Sequence, residues 1–144
     1  MSGKRSIAPA LAAMALSAGA SAQDAVPEAP SSMVLSGRCQ YSDRVARFRH
    51  ETALILCDTV SISREQGAAT IDFAQRSWGS MARFSGDMAG DRMTVSRVTL
   101  RNGASFAATG TCETFRTNRA LSTVSCLARA GSRSWAANFL RSRL

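Results

Sequence analysis

The sequence predicts an all-β fold, an eight-stranded antiparallel meander closed as a small barrel or sandwich and stapled by two local disulfides. Three observations carry this expectation. β-Branched and aromatic residues fall in short runs bounded by Gly, Asn, Asp and Ser, while helix signals are weak. Tight-turn signals recur between those runs and leave no room for crossover helices. Four cysteines fall into two similarly framed pairs, Cys39 with Cys57 and Cys112 with Cys126.

The ends are set aside first. Residues 1–22 read as a signal peptide: Lys4 and Arg5 form a positive start, Ile7 to Ala18 is an Ala/Leu/Met run too short to span a bilayer, and Ala20-Ser21-Ala22 fits cleavage after Ala22. No Cys follows the apolar run, which argues against a lipid anchor. Residues 23–32 carry two prolines and two serines and read as a flexible linker. That leaves 33–144 as a single β-barrel-like domain, long enough for one core. No later stretch approaches the ~18 apolar residues of a transmembrane helix. The expected location is the periplasm or the extracellular space.

The strands follow in order. The first spans Met33 to Tyr41. The second spans Thr52 to Ser63, with Leu54, Leu56, Val60 and Ile62 on one face and Asp58 interrupting it. Gln66-Gly67 turns the chain into Ala69 to Gln75, where Ile71 and Phe73 share a side. Gly79 opens Ser80 to Gly86, with Ala82 and Phe84 aligned, and Asp87 to Asp91 is a turn around Gly90. In the fifth strand, Arg92 to Arg101, Met93 and Val95 share one face but Val98 and Leu100 the other. A one-residue slip near Ser96-Arg97 is how a β-bulge reads in sequence. Asn102-Gly103 is the strongest hairpin signal and suggests a type I′ turn. Ala104 to Phe115 sets Phe106, Ala108, Gly110 and Cys112 inward, Ala120 to Arg129 adds Val124, Cys126 and Ala128, and Gly131-Ser132 leads into Arg133 to Arg141 with Trp135, Ala137 and Phe139.

An open meander would expose its edges, so closure is expected. Many inward alanines and few aromatics predict a narrow, filled interior with no large ligand cavity. Arg83, Arg97, Arg129 and Arg141 within or near strands, and the lack of an aromatic girdle, argue against an outer-membrane barrel.

An even cysteine count in an exported chain favours disulfides over metal or redox chemistry. Cys39–Cys57 and Cys112–Cys126 are the expected pairs, because each brackets one local segment. Gly37-Arg38-Cys39 and Gly110-Thr111-Cys112 open the two segments alike, and each is followed by an aromatic strand, at 69–73 and 135–139, as two copies of one plan would be. Neither CxxC spacing nor clustered His supports a metal site, and no cofactor motif occurs.

The chain carries a formal net charge of +8, and loss of Lys4 and Arg5 lowers it to about +6, all from arginine. Such a surface favours anionic partners such as lipopolysaccharide or acidic glycans, with no specific nucleic-acid motif. The candidate binding patch lies in two Phe-bearing basic loops, 41–51 and 113–120: Arg44, Arg47, Phe48, Arg49 and His50 in the first, and Phe115, Arg116 and Arg119 in the second. If the first is extended, Val45, Arg47 and Arg49 share one face. His50 is the only histidine, and no Gly-x-Ser-x-Gly elbow accompanies it. Gly86-Asp87 and Gly90-Asp91 lack EF-hand spacing. Asp58 and Asp72, on neighbouring strands, are the most natural carboxylate pair for glycoside hydrolysis. The sequence thus suggests a small, non-enzymatic exported protein that binds an anionic envelope component or a protein partner. The alternatives are an envelope-polymer hydrolase using Asp58 and Asp72, a small β-barrel inhibitor of an exported hydrolase, and a purely structural envelope component.

Overall fold

A computed structural model describes Gly3 and residues 31–143; the expected signal peptide and most of the expected linker lie outside the described residues. The described chain is all-β apart from one helical turn. Its elements are β1 (Ser31–Cys39), α1 (Asp43–Ala46), β2 (Ala53–Leu54), β3 (Thr59–Glu65), β4 (Ala68–Gln75), β5 (Gly79–Ala89), β6 (Arg92–Leu100), β7 (Ser105–Thr117), β8 (Ala120–Ala130) and β9 (Arg133–Arg141). β1 and β3 to β9 form an antiparallel meander that closes on itself when Gly37, Arg38 and Cys39 of β1 pair with Arg141, Leu140 and Phe139 of β9. The result is an eight-stranded closed barrel with one extra strand, β2, lying parallel to the start of β9 through Ala53–Trp135 and Leu54–Ala136.

The inward faces match the alternation read from the sequence over most of the barrel. Val60, Ile62, Ile71, Phe73, Ala82, Phe84, Val124, Ala128, Ala137 and Phe139 are buried, and Phe73 meets Phe84 edge-on at 5.6 Å between ring centroids. The expected slip in β6 is present as a register shift between Val95 and Arg97, which returns Val98 to the inside along with Met93 and Val95. Both expected disulfides form. Cys112 and Cys126 are direct cross-strand partners inside the barrel, whereas Cys39–Cys57 ties the end of β1 to an irregular segment ahead of β3. Mirrored spacing therefore does not make equivalent bridges.

Three local readings are corrected. The expected second strand breaks in two, because residues 55–58 leave the ladder. Ile55 and Cys57 face the core there, while Leu56 is 60% exposed. Asn102-Gly103 is not a type I′ turn, since only Gly103 has positive φ, at 85°. Gly103 N–H donates to Leu100 O (2.9 Å) and Leu100 N–H to Ala104 O (2.8 Å), the pattern of a three-residue loop ending in a left-handed residue. The two-residue turns with left-handed φ at both positions are Gln66-Gly67 and Asn118-Arg119. Residues 44–50 are not extended: α1, capped by the Ser42 side chain, is followed by further turns.

The barrel brings strands into close approach at three glycines; at the seam, a Cβ on Gly37 would meet the carbonyl of Leu140 and the Phe139 ring. A Cβ at Gly86 would meet the carbonyl of Thr94, and one at Gly110 the backbone of Leu127 and Ala128. Gly86 sits at a register shift between β5 and β6, where a bulge lets the strands bend. Replacing Gly110 with Val should therefore lower unfolding free energy by about 2 kcal/mol or more. Urea denaturation of G110V beside the parent protein measures this.

Candidate functional site

Residues 41–52 form a strap over the outside of the barrel, and local chemistry explains its path. Beyond Cys39 the chain can follow β9 only briefly: Gln40 N–H donates to Asn138 O (2.9 Å), and the Asn138 side-chain amide donates back to Gln40 O (3.0 Å). Tyr41 then folds inward. Its one hydroxyl proton is shared between the carbonyl oxygens of Ile55 (2.5 Å) and Ala136 (3.0 Å), which joins the two ends of the strap to β9. Ser42 caps α1, and Phe48 O accepts from the N–H groups of Glu51 and Thr52. At the far end the Thr52 and Ser134 hydroxyls bond at 2.6 Å. The Cys39–Cys57 bridge encloses the whole strap.

This scaffold presents Arg44, Arg47, Phe48, Arg49 and His50 to solvent, with Phe48 54% exposed. Phe48 does not pack down on the barrel. A groove of about 520 Å³ runs between the strap and the outer wall, bounded by Tyr41, Val45, Glu113, Leu127, Ala136 and Asn138. Leu127 projects outward from β8 and is 58% exposed.

The second expected loop is carried by the β7–β8 hairpin. Phe115 is on the outer face of β7, 47% exposed, and Arg116 reaches Asp91 at 3.6 Å. Arg119 is in the β7–β8 turn. That turn sits at the barrel end shared by the β3–β4 and β5–β6 turns, whereas the strap climbs β9 toward the opposite end, where Thr52 meets Ser134. Phe115 is in register with Thr123, and Thr123 with Leu140, six residues along β9 from Ser134. At ~3.3 Å per residue Phe115 is thus roughly 20 Å along the sheet from the Thr52 end of the strap, whereas Val45 of α1 lines the same groove as Glu113, two residues from Phe115 on β7.

Closure of the barrel brings together three residues the sequence did not single out. Arg38 of β1, Arg141 of β9 and Arg143 beyond it line a cleft of about 500 Å³ beside the β7–β8 hairpin. The signal for it was available only in part, since Arg38 and Arg141 flank inward residues on the first and last strands, and pairing of those strands joins them.

Asp58 and Asp72 have other work. Asp58 Oδ1 accepts the backbone N–H of Arg76 (3.0 Å), while Asp72 accepts the Ser80 hydroxyl (2.6 Å) and pairs with Arg83 across β4–β5 (3.1 Å). Asp72 is opposite Ser61, three residues along from Asp58, which separates the two carboxylates' backbone positions by about 10 Å. No group of three His, Cys, Asp or Glu side chains suited to a metal occurs among the described residues, and no described helix is long and apolar enough to cross a membrane. Comparisons with protein-family models, with curated proteins and with solved structures return no match.

Burial pushes the Tyr41 phenol up to about 12, with backbone groups of Asn138 and Ile55 pulling partly the other way. A phenol raised above its unfolded value of about 10 keeps its full contribution to stability below pH 10. The contribution is lost as pH rises toward 12, because the unfolded chain ionises first. Tyr41 is the only tyrosine, so phenolate absorbance reports it alone. The expected titration midpoint is near 12 in the folded protein and near 10 in urea, and Y41F should remove this alkaline loss of stability.

Proposed function

We propose that the protein is an exported, non-catalytic binding module that docks on anionic envelope material through its basic surface, chiefly the disulfide-pinned strap. The observation that carries this reading is a cluster of three arginines around an exposed phenylalanine, Arg44, Arg47 and Arg49 with Phe48, on a covalently closed backbone. Pinning matters because binding then costs little chain ordering. Charge is available as well. Among the described residues only Arg83, Arg92 and Arg116 reach a carboxylate within 4.0 Å, and those pairs are exposed and weak. A cationic surface with one amphipathic anchor suits an anionic interface, where guanidinium groups meet phosphate or carboxylate and an aromatic ring enters the headgroup layer. Two disulfides in the fold fit maturation outside the cytoplasm.

The test is partition onto phosphatidylglycerol vesicles compared with phosphatidylcholine vesicles. Binding should be confined to the anionic vesicles and should fall steeply between about 0.05 M and about 0.5 M salt. R47A/R49A should weaken it roughly 30-fold, at about 1 kcal/mol per arginine. F48A should weaken it further without altering the salt dependence. Equal partition onto neutral vesicles, or wild-type binding by R47A/R49A, refutes the reading. N-terminal sequencing of protein recovered outside the cytoplasm should begin at Gln23.

A further inference from the structure

We infer that the cleft where the first and last strands meet is a binding site for a phosphate monoester on a hydroxyl-rich body, that is, a phosphorylated saccharide. This assignment concerns a second place on the molecule and stands independently of the strap. The cleft holds about 500 Å³, within the range of small-molecule sites. Arg38, Arg141 and Arg143 line it, and no Asp or Glu does. None of the three has a carboxylate within 4.0 Å among the described residues. Arg141 is held in place, its Nη1 donating to Leu121 O at 3.5 Å. Ser142 N–H donates to Ser36 O (3.0 Å), which draws the chain beyond β9 back against β1 and brings Arg143 to the same cleft.

The chemistry selects among anions. Three like charges around one hollow repel one another, and a single anion relieves that repulsion best when it bears more than one charge. A single carboxylate offers two oxygens and one charge. A phosphate monoester offers three terminal oxygens and up to two charges, and the planar guanidinium fork matches pairs of those oxygens. The remaining lining chooses what the phosphate is attached to. Thr117, Ser122, Thr123 and Ser142 bring hydroxyls and Gln40 an amide, whereas Leu140 is the only large apolar side chain. Such a wall hydrogen-bonds a polyol and offers little to an acyl chain. The Thr117 and Ser122 hydroxyls already bond to each other at 3.1 Å, so they stand prearranged on the hairpin. An adjoining hollow, bounded by Asn118, Ala120 and Leu121, lets a larger saccharide extend past the β7–β8 turn.

A lipid headgroup presents the same phosphate, and the experiment separates the two sources. Amide resonances of the disulfide-intact protein are followed by NMR against glucose 1-phosphate, inorganic phosphate and glucose, and vesicle binding is measured with phosphatidic acid in phosphatidylcholine. Glucose 1-phosphate should shift Gly37, Arg38, Ser122, Thr123 and Ser142 saturably, inorganic phosphate should do so more weakly, and glucose should not. R38A/R143A should weaken the affinity by roughly tenfold or more while leaving resonances elsewhere and the melting temperature unchanged. R38K/R143K, which keeps the charge but loses the fork, should fall between. Absence of these shifts, or equal affinity in R38A/R143A, overturns the assignment. Shifts confined to residues 44–50 also overturn it while leaving the strap reading intact. Measured in the R47A/R49A background, tighter binding to phosphatidic acid vesicles than to glucose 1-phosphate, lost on adding R38A/R143A, moves the ligand to a lipid headgroup and overturns the saccharide class.

Discussion

Everything else in this structure follows from how the barrel closes. The pairing of β1 with β9 is only three residues long and joins the C-terminal ends of both strands. That stagger leaves the first half of β9 with a bare edge, a liability for any sheet. Two devices cover it. β2 supplies two ladder positions, and the strap lays Tyr41 and Asn138 hydrogen bonds across the gap. The Cys39–Cys57 bridge then fixes the strap over the edge it protects. The candidate binding strap is thus also the lid of the seam, which is why a long connection survives where the other hairpins are tight.

The interior obeys a simpler rule. An eight-stranded barrel has room for its own side chains and little else. Phe73, Phe84, Phe139 and Trp135 occupy it with small alanines and the Cys112–Cys126 bridge between them. The arginines are consequently left on the outer wall and the rims. The end near Trp78 has the same character: Arg101 lies over the Trp78 ring at 4.2 Å, and Arg133 over Phe106 at 5.2 Å.

Much of the fold was legible because its signals are local. Alternation gave the inward face of β4, β5, β8 and β9, the Met93–Val95–Val98 slip gave the bulge, and paired spacing gave both disulfides. The failures share a cause. Leu54 and Leu56 share a face with Val60 and Ile62 only if one strand runs through 55–58, where a disulfide and a backbone contact to Asp58 override alternation. Asn102-Gly103 has type I′ composition, yet the flanking ladder accommodates three loop residues and makes a different turn. Asn118-Arg119 took the tight geometry with a poorer sequence for it, because the long β7–β8 register demands it. The strap arginines and Phe48 are exposed, on a backbone that is turned and not extended. The Arg38–Arg141–Arg143 cleft was legible only in part, since it joins residues about a hundred positions apart that closure makes neighbours.

That separation also bears on the order in which the molecule assembles. The β7–β8 hairpin unites long strands through a two-residue turn, so its contacts need little chain to be searched. The seam can form only when both termini of the domain meet, and that encounter carries the largest loop-closure cost in the fold. A growing barrel therefore passes through an unzipped sheet with two free margins, and sealing comes last. The Cys39–Cys57 bridge takes only 18 residues out of that loop, so by the logarithmic dependence on length it eases the search little and serves as a tether once the join is made.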